Sequence, residues 1–297
     1  MKKQDIPIIF AVDDAYIPFL AVTIQSLSDH ISKKNQYYLK VLYTKIKDEN
    51  KKKILKYENE NIHIEFVNVK KDIERMESKL PVGYFYSSAT YYRVLIPNLY
   101  PQYDKVLYLD ADIVILEDVA KLYNVNIDDY LLGCMPEPWI RKVKEFRVYA
   151  EKVLGLASYK KYFNAGILLM NLNALREMNF EDVFLHLLDS VKYRFAQDQD
   201  YLNRICKGRV KYIRSAWNAS GYLYKKENPK IVHYTIYKPW LIKDMPNSEY
   251  FWDAAKKTEF YDYIKSLMQD NGTESGDKSV EAFKETAVYE SSCVGNG

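Results

Sequence analysis

The residues best placed for chemistry lie in one segment, Lys105-Val-Leu-Tyr-Leu-Asp110-Ala111-Asp112-Ile-Val-Ile-Leu116, an apolar run interrupted by two aspartates one residue apart. In an extended chain residues i and i+2 project to the same side, so Asp110 and Asp112 can converge on one point. Two desolvated carboxylates repel unless a cation or a basic partner joins them. Hard oxygen ligands of this kind select magnesium or manganese. The bland alternative is a loop cap or a solvated pair, which is what most bare Asp-x-Asp pairs are; the apolar strand ahead of this one favours a site at the carboxyl edge of a sheet.

A third ligand candidate is His233 in Ile231-Val-His233-Tyr-Thr-Ile-Tyr-Lys238-Pro-Trp240. An imidazole beside two carboxylates shifts the preference from magnesium toward manganese, and Lys238 is suited to meet a diphosphate. Taken alone, a histidine after a short strand is more often a hydrogen-bonded core residue. Four other polar clusters, Asp13-Asp14, Tyr91-Tyr92-Arg93, Tyr162-Phe-Asn164-Ala165-Gly166 and Gln197-Asp198-Gln199-Asp200, each have a structural explanation as a helix cap, ion pair, turn or helix start. There is no Ser-His-Asp arrangement, Walker loop or GxGxxG fingerprint, which excludes hydrolase triads, P-loop enzymes and typical dinucleotide dehydrogenases.

The elements that must position these residues alternate between strand and helix patterns. Residues 6–12, 39–43, 62–67 and 105–109 read as strands; 48–59 and 87–95 read as helices, the second stopped by Pro97. Asp13 or Asp14 is suited to cap a helix bearing Pro18 in its first turn. Further on, 141–154 and 180–194 read as helices and 166–171 as a strand, while 207–243 looks like loops lining a site. This order predicts an α/β domain over residues 1–265. Residues 266–297 read as a flexible acidic tail or linker, with six acidic residues against two basic from 270 onward.

The 297 residues are 48% hydrophobic and 28% charged, the mixture of a soluble globular protein. A net charge of +3 is too balanced for a protein built to bind nucleic acid. The 28 tyrosines could stack on sugars or bases, but half-buried strand and helix positions explain most of them. Cys134, Cys206 and Cys293 form no CxxC pair and indicate neither a disulfide framework nor a zinc knuckle. No apolar run is long enough to span a membrane, and the N-terminus lacks a signal-peptide pattern. The expected location is cytoplasmic, with peripheral contact at the inner face of the membrane left open.

Taken together and in this order, Phe10-Ala11-Val-Asp13-Asp, Thr90-Tyr-Tyr-Arg93, Lys105 to Asp112, Tyr162 to Gly166, Gln197 to Asp200, and His233 followed by Lys238-Pro-Trp resemble glycosyltransferase family 8 over residues 6–260. These nucleotide-sugar transferases include bacterial galactosyl- and glucosyltransferases and, more distantly, glycogenin. The resemblance implies a single GT-A-type domain with a mostly parallel central sheet flanked by helices and a Rossmann-like nucleotide-binding half. It implies retaining, metal-dependent transfer of galactose or glucose from a UDP-sugar to a glycan or glycoconjugate. By the same likeness Asp110, Asp112 and His233 hold Mn2+, with Mg2+ as the substitute. Ala11 and Asp13 contact uridine, Ala111 belongs to the donor site, and Arg93, Asn164 and Ala165 approach the donor sugar or its phosphates. Asp198 binds sugar hydroxyls, Gln199 stands beside the anomeric carbon, and Lys238 binds phosphate. One departure is the spacing from His233 to Lys238, a residue shorter than the frequent family pattern, with Ile236 near the usual glycine. The competing readings are a sugar nucleotidyltransferase and a non-catalytic nucleotide-sugar or carbohydrate-binding module. The acidic Asp13-Asp14-Ala15-Tyr16 stretch stands where a nucleotidyltransferase would carry a glycine-rich basic loop.

Overall fold

The computed structural model describes residues 3–77, 80, 88–193, 195–268 and 272–293. Strand β1 (Gln4–Ala11) is apolar on both faces, with Ile6, Ile8, Ile9 and Phe10 fully buried, as a central parallel strand requires. Asp13 accepts from the Tyr16 N–H and caps a 3-10 turn that leads into helix α1 (Ile17–Ser28). Pro18 sits in the first turn of α1, where its missing N–H leaves no bond unmade. Next come β2 (Asn35–Tyr43), α2 (Asp48–Leu55), β3 (Ile62–Asn68) and α3 (Lys70–Glu77). A 3-10 run over Ser88–Leu95 then leads into α4 (Ile96–Leu99). Pro97, expected to stop a helix, instead lies in the first turn of α4, a position that suits its fixed φ.

Strand β4 (Lys105–Leu109) pairs in parallel with β1 on the side opposite β2. The chain therefore reverses direction across the sheet between β1 and β4, and open α/β sheets bind ligands beyond the carboxyl ends of strands at such a switch. The following elements are β5 (Ile113–Ile115), α5 (Ala120–Tyr123), β6 (Leu132–Pro136), α6 (Lys144–Lys152), β7 (Phe163–Asn171), α7 (Leu172–Glu177), α8 (Phe180–Ser190) and α9 (Asp198–Ile205). Then come β8 (Val210–Tyr212), β9 (Ala219–Ser220), β10 (Ile231–His233), α10 (Ser248–Ala255), α11 (Tyr261–Ser266) and α12 (Gly272–Cys293). The main sheet runs β3-β2-β1-β4-β7-β6-β8, with β7 antiparallel to both neighbours and the other pairs parallel; β5, β10 and β9 form a second sheet. The stretch read as loops over 207–243 thus holds three strands, each too short to show an alternating pattern.

Side-chain alternation along β1 divides the core in two. Ile6, Ile8 and Phe10 pack in one apolar layer with α1, and Ile9 packs in the other with Leu42, Val106 and Tyr108. Eleven tyrosines among the described residues are buried, and Tyr37, Tyr91, Tyr92, Tyr149 and Tyr201 are among the largest fully buried side chains.

Where composition predicts a flexible acidic tail, residues 272–293 form α12, packed against α6. Ala287 is fully buried, Phe283 meets the Phe195 ring edge-on at 5.6 Å, and Asp277 accepts from the Tyr237 hydroxyl at 2.6 Å. Val280, Phe283 and Ala287 recur at helical spacing, a sparse stripe that the acidic average of the segment conceals.

Candidate active site

Asp110 and Asp112 flank the turn between β4 and β5. Strand β10 pairs antiparallel with β5, placing His233 opposite Ile113, and the Tyr234 N–H donates to the Asp112 carbonyl at 3.0 Å. The second sheet thereby brings the histidine to the aspartates. One ligand atom from each of Asp110, Asp112 and His233 lies within 4.8 Å of the others. His233 Nε2 is 3.2 Å from Asp112 Oδ1 and 3.8 Å from Asp110 Oδ2. Buried Thr23 on α1 pins the turn, its hydroxyl 2.9 Å from the Ala111 carbonyl and 2.8 Å from that of Ile113.

A chain of hydrogen bonds sets the orientation of the imidazole. The Gly166 N–H can only donate, and it does so to Asn164 Oδ1 at 3.0 Å. The Asn164 amide nitrogen then donates to Glu137 Oε2 at 2.7 Å, and Asn218 Nδ2 donates to Asn164 Oδ1 at 2.9 Å. Asn218 is left presenting its oxygen to His233 Nδ1 at 3.1 Å, so Nδ1 carries the proton. In the neutral ring Nε2 therefore aims a lone pair at Asp112 Oδ1, a buried oxygen with no hydrogen-bond partner among the described residues. Only a cation, either a metal ion or a second ring proton, reconciles two opposed lone pairs at that separation. Two carboxylates and an imidazole held by an outer layer of amides fit a divalent ion such as manganese or magnesium.

The surrounding charges point the same way. Buried Arg93 places Nη2 3.3 Å from Asp110 Oδ1 and Nε 3.0 Å from Asp198 Oδ2, and it also donates to the Ala165 carbonyl. The guanidinium lies 4.3 Å over the Tyr108 ring, whose hydroxyl donates to Asp110 Oδ1 at 2.8 Å. Lys238 donates to Asp112 Oδ2 and to the Tyr234 carbonyl, so the shortened spacing after His233 still delivers the lysine. Burial raises the Asp112 pKa, but Lys238, joined by His233 when its ring carries a second proton, outweighs it and holds the carboxyl well below its usual range. Burial pushes Asp198 up, with Arg93 and Thr90 offsetting part of the rise, and it likewise raises Glu137. With His233 neutral, the carboxylates of Asp110, Asp112 and Asp198 against Arg93 and Lys238 leave the cluster net negative.

Asp198 and Gln199 open α9 after Gln197, whose φ of 45° and ψ of −124° are strained for a residue with a side chain, at an order of about 1–3 kcal/mol. Gln199 Oε1 accepts from the Ala165 N–H at 2.8 Å, and its Nε2 donates to the Tyr162 hydroxyl at 3.0 Å. That hydroxyl donates in turn to Asp200 Oδ1 at 2.7 Å. Asp200 is fully buried, also accepts from the Tyr149 hydroxyl and the Ala196 N–H, and is pushed up to about 7 by desolvation.

A cavity of about 430 Å³ collects all the residues marked in the sequence: Ala11 and Asp13 at the end of β1, Arg93, the Asp110-Ala111-Asp112 turn, Asn164 and Ala165 on β7, Asp198, Gln199, His233 and Lys238. Sequence reasoning missed Glu137 and Asn218. Glu137 had a signal, an acidic residue between two prolines just after an apolar run; Asn218 had none.

The fold is that of a GT-A glycosyltransferase. The chain belongs to glycosyl transferase family 8, whose pattern matches residues 7–244. A Haemophilus influenzae protein named as a glycosyltransferase is 34% identical over 222 residues, which are 73% of this chain and 64% of that one, just under two thirds of the relative's length. The lipopolysaccharide 1,3-galactosyltransferase of Salmonella typhimurium is 28% identical over 206 residues, covering 63% of this chain and 59% of its own. Among solved structures, the galactosyltransferase LgtC in complex with donor and acceptor sugar analogues superposes with a TM-score of 0.70 at 25% identity, covering 86% of this chain and 96% of LgtC. Among the described residues no helix is long and apolar enough to cross a membrane.

Proposed function

We propose that the protein transfers a hexose, galactose or glucose, from a UDP-sugar to a glycan or glycoconjugate acceptor, with retention of anomeric configuration and dependence on manganese or magnesium. The observation that carries this reading is the opposition of the His233 Nε2 lone pair to the unpartnered Asp112 oxygen inside a net-negative cluster. Asp110, Asp112 and His233 would hold a divalent ion, which would supply positive charge for the diphosphate leaving group.

The chain's own residues do the rest. Ala11, Asp13 and Ala111 line the nucleoside end. Lys238 exchanges part of its bond to Asp112 for phosphate oxygens and receives the negative charge developing on the leaving group. Arg93, Asn164 and Ala165 border the donor sugar, and Asp198 accepts from its hydroxyls while Arg93 holds the carboxylate in place. Gln199 Oε1 keeps one lone pair free of the Ala165 N–H and turns it toward the anomeric carbon. An amide is a poor nucleophile beside a carboxylate, so a same-face transfer through an oxocarbenium-like state suits this site better than a stable glycosyl-enzyme. Cys134 and Cys206 are buried free thiols, which agrees with work in a reducing compartment such as the cytoplasm.

The test is UDP release from a panel of UDP-sugars with manganese, magnesium or chelator, with and without sugar acceptors, followed by assignment of the product anomer. One UDP-hexose turned over only with metal, faster with acceptor and with retention, is the expected result. Turnover indifferent to chelator overturns the metal role, and failure to bind any UDP-sugar overturns the whole reading.

A further inference from the structure

A second cavity, of about 790 Å³, opens at the β8 edge of the main sheet and shares no lining residue with the first. Its wall carries Lys161, Lys207 and Lys211 together with Tyr130 and Tyr212, and among the described residues no carboxylate. Among the described residues the lysines find only backbone and aromatic partners. Lys207 Nζ donates to the Gly155 carbonyl at 3.1 Å and Lys211 Nζ to that of Asn126 at 2.9 Å. Lys161 Nζ lies 4.9 Å over the Tyr212 ring and Lys211 Nζ 5.9 Å from that of Tyr130. Arg204 adds a fourth cation, donating to the Leu154 carbonyl at 3.0 Å. A side-chain carbon on Gly155 would lie 2.8 Å from Arg204 Nη1 and 3.7 Å from Lys207 Nζ, so two cations crowd the same turn. Among the described residues none of these four makes a carboxylate ion pair.

We infer that this cavity is a binding site for an anionic oligosaccharide, a run of sugars bearing carboxylate or phosphate groups. The uncompensated cations call for anions. The tyrosine faces between them suit the flat apolar side of a pyranose, as aromatic rings in sugar sites do. A lipid surface is disfavoured because none of the large exposed apolar side chains, such as Val183, Tyr263 and Tyr289, lines the cavity to enter a bilayer. The site also touches the first one indirectly. Asn203, in its wall, bonds both backbone groups of Phe163 and the carbonyl of Gln199, so the occupant rests against the clamp that seats α9 on β7. The inference goes beyond the transfer reading and stands on its own residues, because its readout is binding rather than turnover.

The test is calorimetric titration of the full chain with tetragalacturonate, with neutral maltotetraose, with inorganic phosphate and with phosphatidylglycerol vesicles, at low and at physiological salt. Tetragalacturonate binds, weakens as salt rises, is not displaced by UDP with manganese, and loses about tenfold or more in affinity in the Lys161→Gln/Lys207→Gln/Lys211→Gln variant at unchanged melting temperature. If that variant melts early, exposed Lys161→Gln alone serves, with a loss of about threefold expected. Equal binding of maltotetraose, unchanged affinity in the lysine variants, or displacement by UDP with manganese overturns the inference. Phosphate binding as tightly as tetragalacturonate reduces the site to one for free anions and overturns the oligosaccharide assignment. Vesicle binding without oligosaccharide binding transfers the patch to a membrane and overturns it as well.

Discussion

Gly166 approaches His233 so closely that a side-chain carbon at position 166 would lie 2.3 Å from the imidazole Cε1. The same carbon would stand 2.4 Å from Asp110 Oδ2, inside van der Waals contact with two of the three candidate metal ligands. The Gly166 carbonyl meanwhile accepts from the Asp110 N–H at 2.7 Å, so β7 cannot retreat without loosening the turn. Gly166→Ala therefore displaces His233, Asp110 or both. Metal-dependent UDP binding falls about tenfold or more, while overpacking costs about 1–3 kcal/mol of stability. Calorimetric titration of UDP with and without manganese checks this; wild-type affinity in the variant would mean that those side chains hold nothing.

Asp112→Asn keeps the shape of the side chain and removes its charge. It takes away a proposed metal ligand and the anionic partner of Lys238 together. Transfer drops by at least about a hundredfold, measured as UDP release at saturating donor; wild-type turnover refutes the assignment.

Asn218 touches the proposed metal only through His233. Asn218→Ala removes the acceptor that keeps the proton on Nδ1 and frees the ring to turn. Loss of such an outer partner lowers metal affinity by about 10- to 100-fold. A manganese titration of UDP binding, compared with the wild type at equal melting temperature, reads the effect directly, and an unchanged manganese requirement counts against the hydrogen-bond chain.

Asp200 makes stability depend on pH. Its carboxyl is raised from 3.8 in the unfolded chain to about 7 in the fold, chiefly by desolvation. The folded state thus keeps a proton that the unfolded state releases. The stability from this group is complete below the lower value and is lost as pH rises through the upper one, at up to about 1.4 kcal/mol per pH unit between them. Asp200→Asn cannot ionise and forfeits less stability between about pH 5 and about pH 8. Urea unfolding at both pH values decides it; parallel curves for the two proteins would refute the shift.

Removing residues 269–297 strips α12 from α6 and uncovers Phe195. Buried apolar contact is lost at Phe283 and Ala287, and the melting temperature falls by about 5 °C or more. A truncated chain that melts with the full one would show that α12 contributes no packing.

Legibility in the sequence followed locality. Asp110 and Asp112 could be read because one strand carries both, and the start of α1 because Asp13 and Pro18 are local signals of a helix end. The ordinary helix expected over 87–95 is a 3-10 run over Ser88–Leu95, a tighter winding that side-chain spacing over so short a stretch does not distinguish. α12 was masked because an acidic average hides a stripe of three residues.

What the sequence determined by itself was the set of chemical groups: two carboxylates at a strand end, a histidine and lysine far along the chain, and six motifs in family order. Their convergence was decided by the tertiary structure. A three-residue strand, β5, had to pair with β10 to set His233 beside Asp112, and a chain of amides from the Gly166 N–H through Asn164 and Asn218 had to settle which ring nitrogen keeps its proton. Hydrophobic period and capping are properties of neighbouring residues and survive in one dimension. Tautomer, net charge of a cluster and the closeness of Gly166 to His233 arise between segments, and only the packed chain brings those segments together.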